Sequence, residues 1–132
     1  MKQITICGKQ YNIDCNAWTY VNYKKIFNRG VFEDIQIIED FVVKQTMFAE
    51  KIKESKPNIK EKELIKELSR LMLRGGIDNY IEAVTRIAYI CVYTADENCG
   101  NYEEWLKGIE RINTNDKWIV EVTEFAVDCF CW

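Results

Sequence analysis

Three acidic side chains near the end of the sequence have a spacing that could hold a metal ion. Glu121, Glu124 and Asp128 follow one another at intervals of three and four residues, which places their carboxylates on one helix face. In the all-helical nucleotide pyrophosphohydrolases, acidic motifs from two helices hold Mg²⁺ between them. This sequence has no second acidic set well placed to lie opposite the first. The pattern therefore favours a solvated helix face, with a metal-dependent nucleotide pyrophosphohydrolase as the alternative.

Other signatures of catalysis are missing from the sequence. It contains no histidine, which removes the commonest general base and the side chain that activates serine or cysteine nucleophiles in most triads. Neither glycine-rich phosphate-binding pattern, GxxxxGK[ST] or GxGxxG, occurs, and Gly75-Gly76 lies between two predicted helices, as a helix stop does. We therefore predict no enzyme activity, no catalytic residue, no cofactor and no metal site.

The six cysteines indicate neither a zinc site nor a disulfide framework. Cys129 and Cys131 form a Cys-x-Cys pair, but there is no second pair with the ligand spacing of structural zinc. Residues 1–7 lack the features of a signal peptide. Because these features predict a cytoplasmic protein, we expect reduced thiols that behave as small apolar side chains.

The charge balance argues against nucleic acid and membranes as partners. The 18 Lys and Arg residues are outnumbered by 21 Asp and Glu residues, and the net charge of -3 does not concentrate a polyanion. Glutamates interrupt the lysines of the most basic stretch, residues 51–66, as on a solvated helix face. No apolar run approaches the roughly 18 residues that span a bilayer.

The pattern of apolar residues predicts a mainly α protein with an N-terminal β-hairpin, in a single domain over residues 1–132. Residues 1–14 alternate apolar and polar side chains around a turn at Gly8-Lys9, which is typical of two short strands. Residues 15–132 carry apolar side chains at helical intervals, and we expect a bundle of about six helices. The first of these helices begins near Asp14 or Asn16, and the others begin near Phe32, Asn58, Ile77, Asn101 and Trp118.

The predicted helices differ in how they contribute to the core. The first should turn Trp18 and Val21 inward, with Tyr20 and Phe27 as further candidates for that face. The fourth, from Ile77 to Cys91, carries apolar residues at helical intervals and should be central in the core. The third has an apolar stripe that should be buried. The stripe consists of Leu64, Ile65, Leu68, Leu71 and Met72.

Aromatic side chains at the end of the last helix are candidates for contact with another protein. Phe130 and Trp132 lie in the final residues, where an aromatic ring is hard to bury within a monomer. Exposed aromatic side chains often mark contact surfaces. We therefore predict that Phe130 and Trp132 contact a protein partner or a second copy of the chain.

The first 30 residues also follow a distinctive order. Gly8-Lys9-Gln10-Tyr11 lies in a predicted strand pair, Trp18 and Tyr20 lie in a capped helix, and Asn28-Arg29-Gly30 follows that helix. This order resembles the tail assembly chaperones of long-tailed bacteriophages and prophages, which are small acidic proteins with a G-K-x-Y hairpin, an aromatic helix and then a helical bundle. The resemblance extends more loosely to a tryptophan-bearing helix near the C-terminus.

The resemblance implies a role in virion morphogenesis in the host cell cytoplasm. Chaperones of this family coat the long helical tape measure protein, keep it soluble and help to recruit tail tube subunits. A longer product often arises in that family by ribosomal frameshifting, and this sequence would be the short form. A small regulator that binds a host protein remains a further alternative, with DNA a weaker target because the chain has no basic face.

Overall fold

The computed structural model describes residues 2–74 and 76–131 and begins with a two-stranded antiparallel hairpin. Strand β1, Lys2–Ile6, pairs with β2, Lys9–Ile13. The connecting residues are Cys7 and Gly8, which both have positive φ (51° and 80°), as a two-residue hairpin turn requires. The predicted turn at Gly8-Lys9 was therefore one residue too late, since Lys9 already pairs with Ile6.

Six α-helices follow the hairpin in the described part of the chain, so the predicted fold class is confirmed. A short 3₁₀ turn, Glu97–Cys99, lies between the fourth and fifth helices. The helices are α1 (Ala17–Phe27), α2 (Val31–Ser55), α3 (Glu61–Arg74), α4 (Ile77–Ala95), α5 (Tyr102–Lys107) and α6 (Lys117–Cys131).

Polar side chains define where two of these helices begin. The Asn16 side chain accepts a hydrogen bond from the Thr19 backbone, and the Thr19 hydroxyl accepts one from the Asn16 backbone, which forms a capping box at α1. Asn101 caps α5 by accepting from the Glu104 N–H over 2.8 Å. The end of α1 is set by Asn28, which adopts the left-handed conformation common after helices.

Helix α4 lies at the centre of the core, as predicted. It packs against α1, α2, α6 and strand β2, and its Ala83, Ile87, Ile90 and Cys91 are fully buried. The hairpin is attached to it by a hydrogen bond of 3.0 Å from the Asp14 backbone N–H to the Cys91 carbonyl oxygen. The sheet therefore depends on the helices for its apolar partner.

Helix α1 presents a different face to the core from the one predicted. Trp18 is 51% exposed and Val21 is also exposed, whereas Thr19 and Tyr23 are fully buried. Polar interactions explain the difference, because Thr19 belongs to the capping box and the Tyr23 hydroxyl binds a buried carboxylate. Trp18 instead packs beneath the Lys25 ammonium group, 4.5 Å from its ring centre.

The second half of α2 and the whole of α3 form an antiparallel helical pair, which we call the arm (residues 42–74). Ile52 and Met72 are its buried apolar residues among those described, and Ile52 does not belong to the main core cluster. Most of the predicted α3 stripe is only partly covered, and Ile65 is exposed, because α3 packs mainly against α2. The arm therefore retains apolar surface of its own.

Over residues 2–74 and 76–131, no helix combines sufficient length with sufficient apolar character to cross a membrane.

Candidate protein-binding surfaces

An apolar hollow of 220 Å³ lies at the base of the arm, between α2, α3 and the start of α4. Phe41, Met72 and Tyr80 are buried beneath it, and the rings of Phe41 and Tyr80 stack with their centres 4.1 Å apart. Ile65 and Leu73 stand on its rim, 46% and 70% exposed. The polar side chains around it are uncharged and comprise Gln45, Ser69, Thr114 and Asn115.

The size of this hollow indicates what it can accept. Small-molecule sites usually measure about 300 to 1,000 Å³ and enclose most of the ligand. A smaller apolar hollow with exposed rim residues is instead suited to one or two anchor side chains of a partner helix. The base of the arm is therefore a candidate protein-binding groove.

A second apolar surface lies where α1, α2 and α6 meet, and we call it the aromatic patch (Tyr20, Phe32 and Phe130). The ring centres of Tyr20 and Phe32 are 5.7 Å apart, and those of Phe32 and Phe130 are 6.3 Å apart in an edge-to-face arrangement. Tyr20 and Phe32 are nearly half exposed, whereas Phe130 is half-buried against its own chain. Trp132, the other predicted contact residue, lies outside the described residues.

A disulfide bond lies close to the aromatic patch in sequence and corrects our expectation of six reduced thiols. It joins Cys15, just before α1, to Cys129 in the last turn of α6, across 114 residues of sequence. Sequence spacing gave no sign of this pair, because only folding brings the two ends of the chain together. The four cysteines Cys7, Cys91, Cys99 and Cys131 are free.

The predicted acidic set does not form a metal site with other parts of the described chain. Glu121 lies 3.8 Å from the Lys2 ammonium group in a long ion pair, and Glu124 and Asp128 are exposed. Within residues 2–74 and 76–131, no three cysteine, aspartate or glutamate side chains are grouped as metal ligands would be. The opposite side of α6 carries the buried residues Trp118 and Val122, as the apolar stripe predicted.

A buried carboxylate that our sequence analysis missed lies between α1, α2 and α4. Asp34 is fully buried and accepts hydrogen bonds from Arg86 and from the Tyr23 hydroxyl, while Arg29 Nε lies 2.9 Å from Asp34 Oδ1. Burial, and then the hydrogen bond to Asp34, raise the pKa of Tyr23. The hydrogen bonds to Asp34 raise the pKa of Arg86. The hydrogen bonds in this cluster stabilise the charged forms of Asp34 and Arg86. The cluster is therefore suited to joining helices rather than to proton transfer.

One signal in the sequence pointed to this carboxylate. Asp34 lies between Val31, Ile35 and Ile38, on the side of α2 that faces the core, where an acid requires a partner. The partner Arg86 lies 52 residues further along the chain, so its identity is not available from local pattern.

A polar cleft of 490 Å³ separates β2 from the end of α4 and from α5. It contains the Cys99 thiol, whose pKa is raised by burial and then by the charge of Asp96. A raised pKa disfavours the thiolate, which is the nucleophilic form. The cleft therefore lacks the activated cysteine that would suggest covalent catalysis.

Comparison of the chain with protein-family models, with curated proteins and with solved structures found no match.

Proposed function

We propose that the protein is a non-catalytic protein-binding module of the phage tail assembly chaperone type, which binds the tape measure protein and assists tail tube assembly. The observation that carries the proposal is the hollow at the base of the arm, with Ile65 and Leu73 exposed on its rim. An amphipathic helix docks in a groove through apolar anchors spaced along one of its faces. A long helical tape measure protein would offer many such helices.

The aromatic patch gives the proposed chaperone a second contact surface. A chaperone that recruits tube subunits while it covers a tape measure helix needs two separate surfaces. The patch is built from the start of α2 and the end of α6, whereas the hollow is built from the arm and α4. We assign the patch to tail tube subunits or to a second copy of the chain.

The chemistry of the described side chains supports a binding role. The buried carboxylate of Asp34 is already bound by Arg86, and Glu121 is paired with Lys2. Magnesium-dependent nucleotide hydrolysis that is abolished by Glu121→Gln would contradict the proposal and favour a pyrophosphohydrolase.

Co-expression with a tape measure protein tests the proposed function. We expect a soluble complex under native conditions, with the tape measure protein insoluble when expressed alone. The double variant Ile65→Gln/Leu73→Gln should weaken the complex at least tenfold, because both side chains are exposed and their loss costs little folding stability. The matched control is Val43→Gln/Val120→Gln, at positions 57% and 56% exposed and outside the hollow. Absence of a soluble complex with the unaltered chain would contradict the proposal.

A further inference from the structure

Charge is distributed unevenly between the arm and the rest of the protein. Residues 42–74 contain nine Lys and Arg against five Glu, a net charge of +4. The other 99 residues contain nine basic against sixteen acidic residues, a net charge of -7. The arm is therefore a basic segment of an acidic protein. Its excess of positive charge is not obvious along the sequence, because glutamates alternate with the lysines.

Three of these cations form a row on α3 beside the exposed rim of the hollow. Lys62, Lys66 and Arg70 are spaced by four residues and are all exposed. With 3.6 residues per turn, the row lies about 90° around the helix from the line that joins Ile65 to Leu73. The cations and the apolar side chains thus form two parallel stripes on one accessible side of α3.

The row has no ion-pair partner within the described residues, in contrast to Lys56 on the same arm. Lys56 forms an ion pair with Glu67 between the two helices of the arm. For Lys62, Lys66 and Arg70, no carboxylate within the described ranges lies at ion-pair distance. Opposite charges on a partner would meet this row without first displacing an internal partner.

We propose that the hollow and the basic row together bind an amphipathic α-helix of a protein partner that carries Asp or Glu along one edge of its apolar stripe. The inference rests on the proposed function and specifies the chemistry of the partner helix. Its apolar anchors would fill the hollow beside Ile65 and Leu73, and its carboxylates would face Lys62, Lys66 and Arg70. The anchors supply most of the affinity, while the charges select the partner and its orientation.

A helix fits these two stripes better than a nucleic acid does. Phosphate recognition uses cations and polar groups, and it gives no role to the exposed Ile65 and Leu73 beside the row. The row spans about 12 Å of helix, which matches two turns of a partner helix. A net charge of -3 on the whole chain also opposes the approach of a polyanion.

Two designed peptides test the charge preference directly. Both are fluorescein-labelled amphipathic helices with the same leucine stripe, one flanked by glutamates along one edge and the other by lysines at the same positions. Fluorescence anisotropy with the full chain should show that the glutamate-edged peptide binds at least tenfold more tightly at low salt. The difference should shrink as salt is added, because exposed ion pairs are screened.

Charge reversal tests whether the basic row causes the preference for the glutamate-edged peptide. The variant K62E/K66E/R70E should bind the lysine-edged peptide more tightly than the glutamate-edged one. The matched control K44E/K51E/K53E makes the same change in net charge on α2 of the same arm and should keep the original preference. Far-UV circular dichroism checks that each variant is folded. If a triple variant is unfolded, the single variant K66E replaces it, with an expected two- to fivefold loss of affinity for the glutamate-edged peptide.

Several outcomes would overturn the inference. Equal binding of the two peptides, or tighter binding of the lysine-edged one, refutes an acidic partner helix, while a complex with the tape measure protein would still support the proposed function. Displacement of the bound peptide by a duplex oligonucleotide, lost in K62E/K66E/R70E, would assign the row to nucleic acid instead. Failure of the tape measure co-expression, with the peptide preference intact, would leave the helix-binding site and remove only the tail-assembly role.

Discussion

Arg86 donates two hydrogen bonds to the fully buried carboxylate of Asp34, from Nε over 2.8 Å and from Nη2 over 2.9 Å. The pair joins α2 to the central helix α4, and the Tyr23 hydroxyl adds α1 to the same carboxylate. Such a bidentate pair fixes both distance and orientation. The packing of α1 and α2 on α4, which also positions the aromatic patch, therefore depends on one acidic side chain.

Replacing Asp34 with asparagine should strongly destabilise the protein. The substitution leaves the Arg86 charge with little solvent and only a long ion pair to the exposed Glu82, 3.8 Å away. Removing one member of a buried pair costs about 3 to 5 kcal/mol. Urea unfolding followed by circular dichroism measures the loss. Glu33→Gln, one residue earlier at an exposed position, is the control and should change stability by less than about 0.5 kcal/mol. Equal unfolding midpoints for the two variants would show that the pair contributes little.

Local sequence features predicted the helix boundaries well. Asn16, one of two candidates, and Asn101 cap helices, α2 ends at Ser55 before Pro57, and α4 begins after the glycine pair. Helix α3 is the exception, since it begins at Glu61, later than the predicted cap Asn58. These boundaries depend on backbone hydrogen bonds within a few residues, so the sequence contains the relevant information.

Features that depend on distant parts of the chain were not predictable in this way. The inward face of α1 is chosen by the contact of Tyr23 with Asp34, and the α3 stripe stays half covered because α3 packs mainly against α2. The Cys15 to Cys129 bond and the hollow beneath Ile65 likewise depend on how the helices pack. Hydrophobic periodicity predicted which helices are amphipathic but could not predict which stripe a partner must cover.

Alkaline pH should reduce stability through the buried thiol of Cys91. Burial, with the charge of Asp14 adding in the same direction, raises the pKa of Cys91 from 9.0 to about 12. In the unfolded chain the thiol loses its proton near pH 9. The stability that the protonated Cys91 thiol contributes is therefore complete below that pH and declines as the pH rises toward 12. Linkage predicts a fall of about 1 kcal/mol in the free energy of unfolding between about pH 8 and pH 9.5.

Urea unfolding at the two pH values measures this dependence, and the variant Cys91→Ala serves as its control. The variant loses packing at both pH values, so the comparison uses only the change between them. That change should be clearly smaller than in the unaltered protein. An identical pH dependence in both proteins would assign the effect to other groups.

Oxidised and reduced protein should differ in stability because of the Cys15 to Cys129 bond. A crosslink between cysteines 114 residues apart restricts the unfolded chain, and removing a native one costs about 2 to 5 kcal/mol. Thermal unfolding of air-oxidised protein with and without a reductant measures the difference. Cys15→Ser should remove it, while Cys131→Ser, which alters an exposed free thiol, should leave it unchanged. Mass spectrometry that finds six alkylated thiols in unfolded, unreduced protein would contradict the bond.

The aromatic patch should mediate association, and Phe32 is the position that tests it with least damage to the fold. Phe32 is 47% exposed, so Phe32→Ser removes contact area while leaving the core intact, whereas Phe130 packs against the core. We expect the variant to weaken binding to tail tube subunits, or self-association, at least tenfold, as analytical ultracentrifugation measures. Val120→Ser, on α6 and 56% exposed, is the control and should bind normally.

A chain truncated after residue 128, compared under reducing conditions, should show the same loss of association as Phe32→Ser because it lacks Phe130. Unchanged association of that chain would show that the aromatic patch is not the second contact surface.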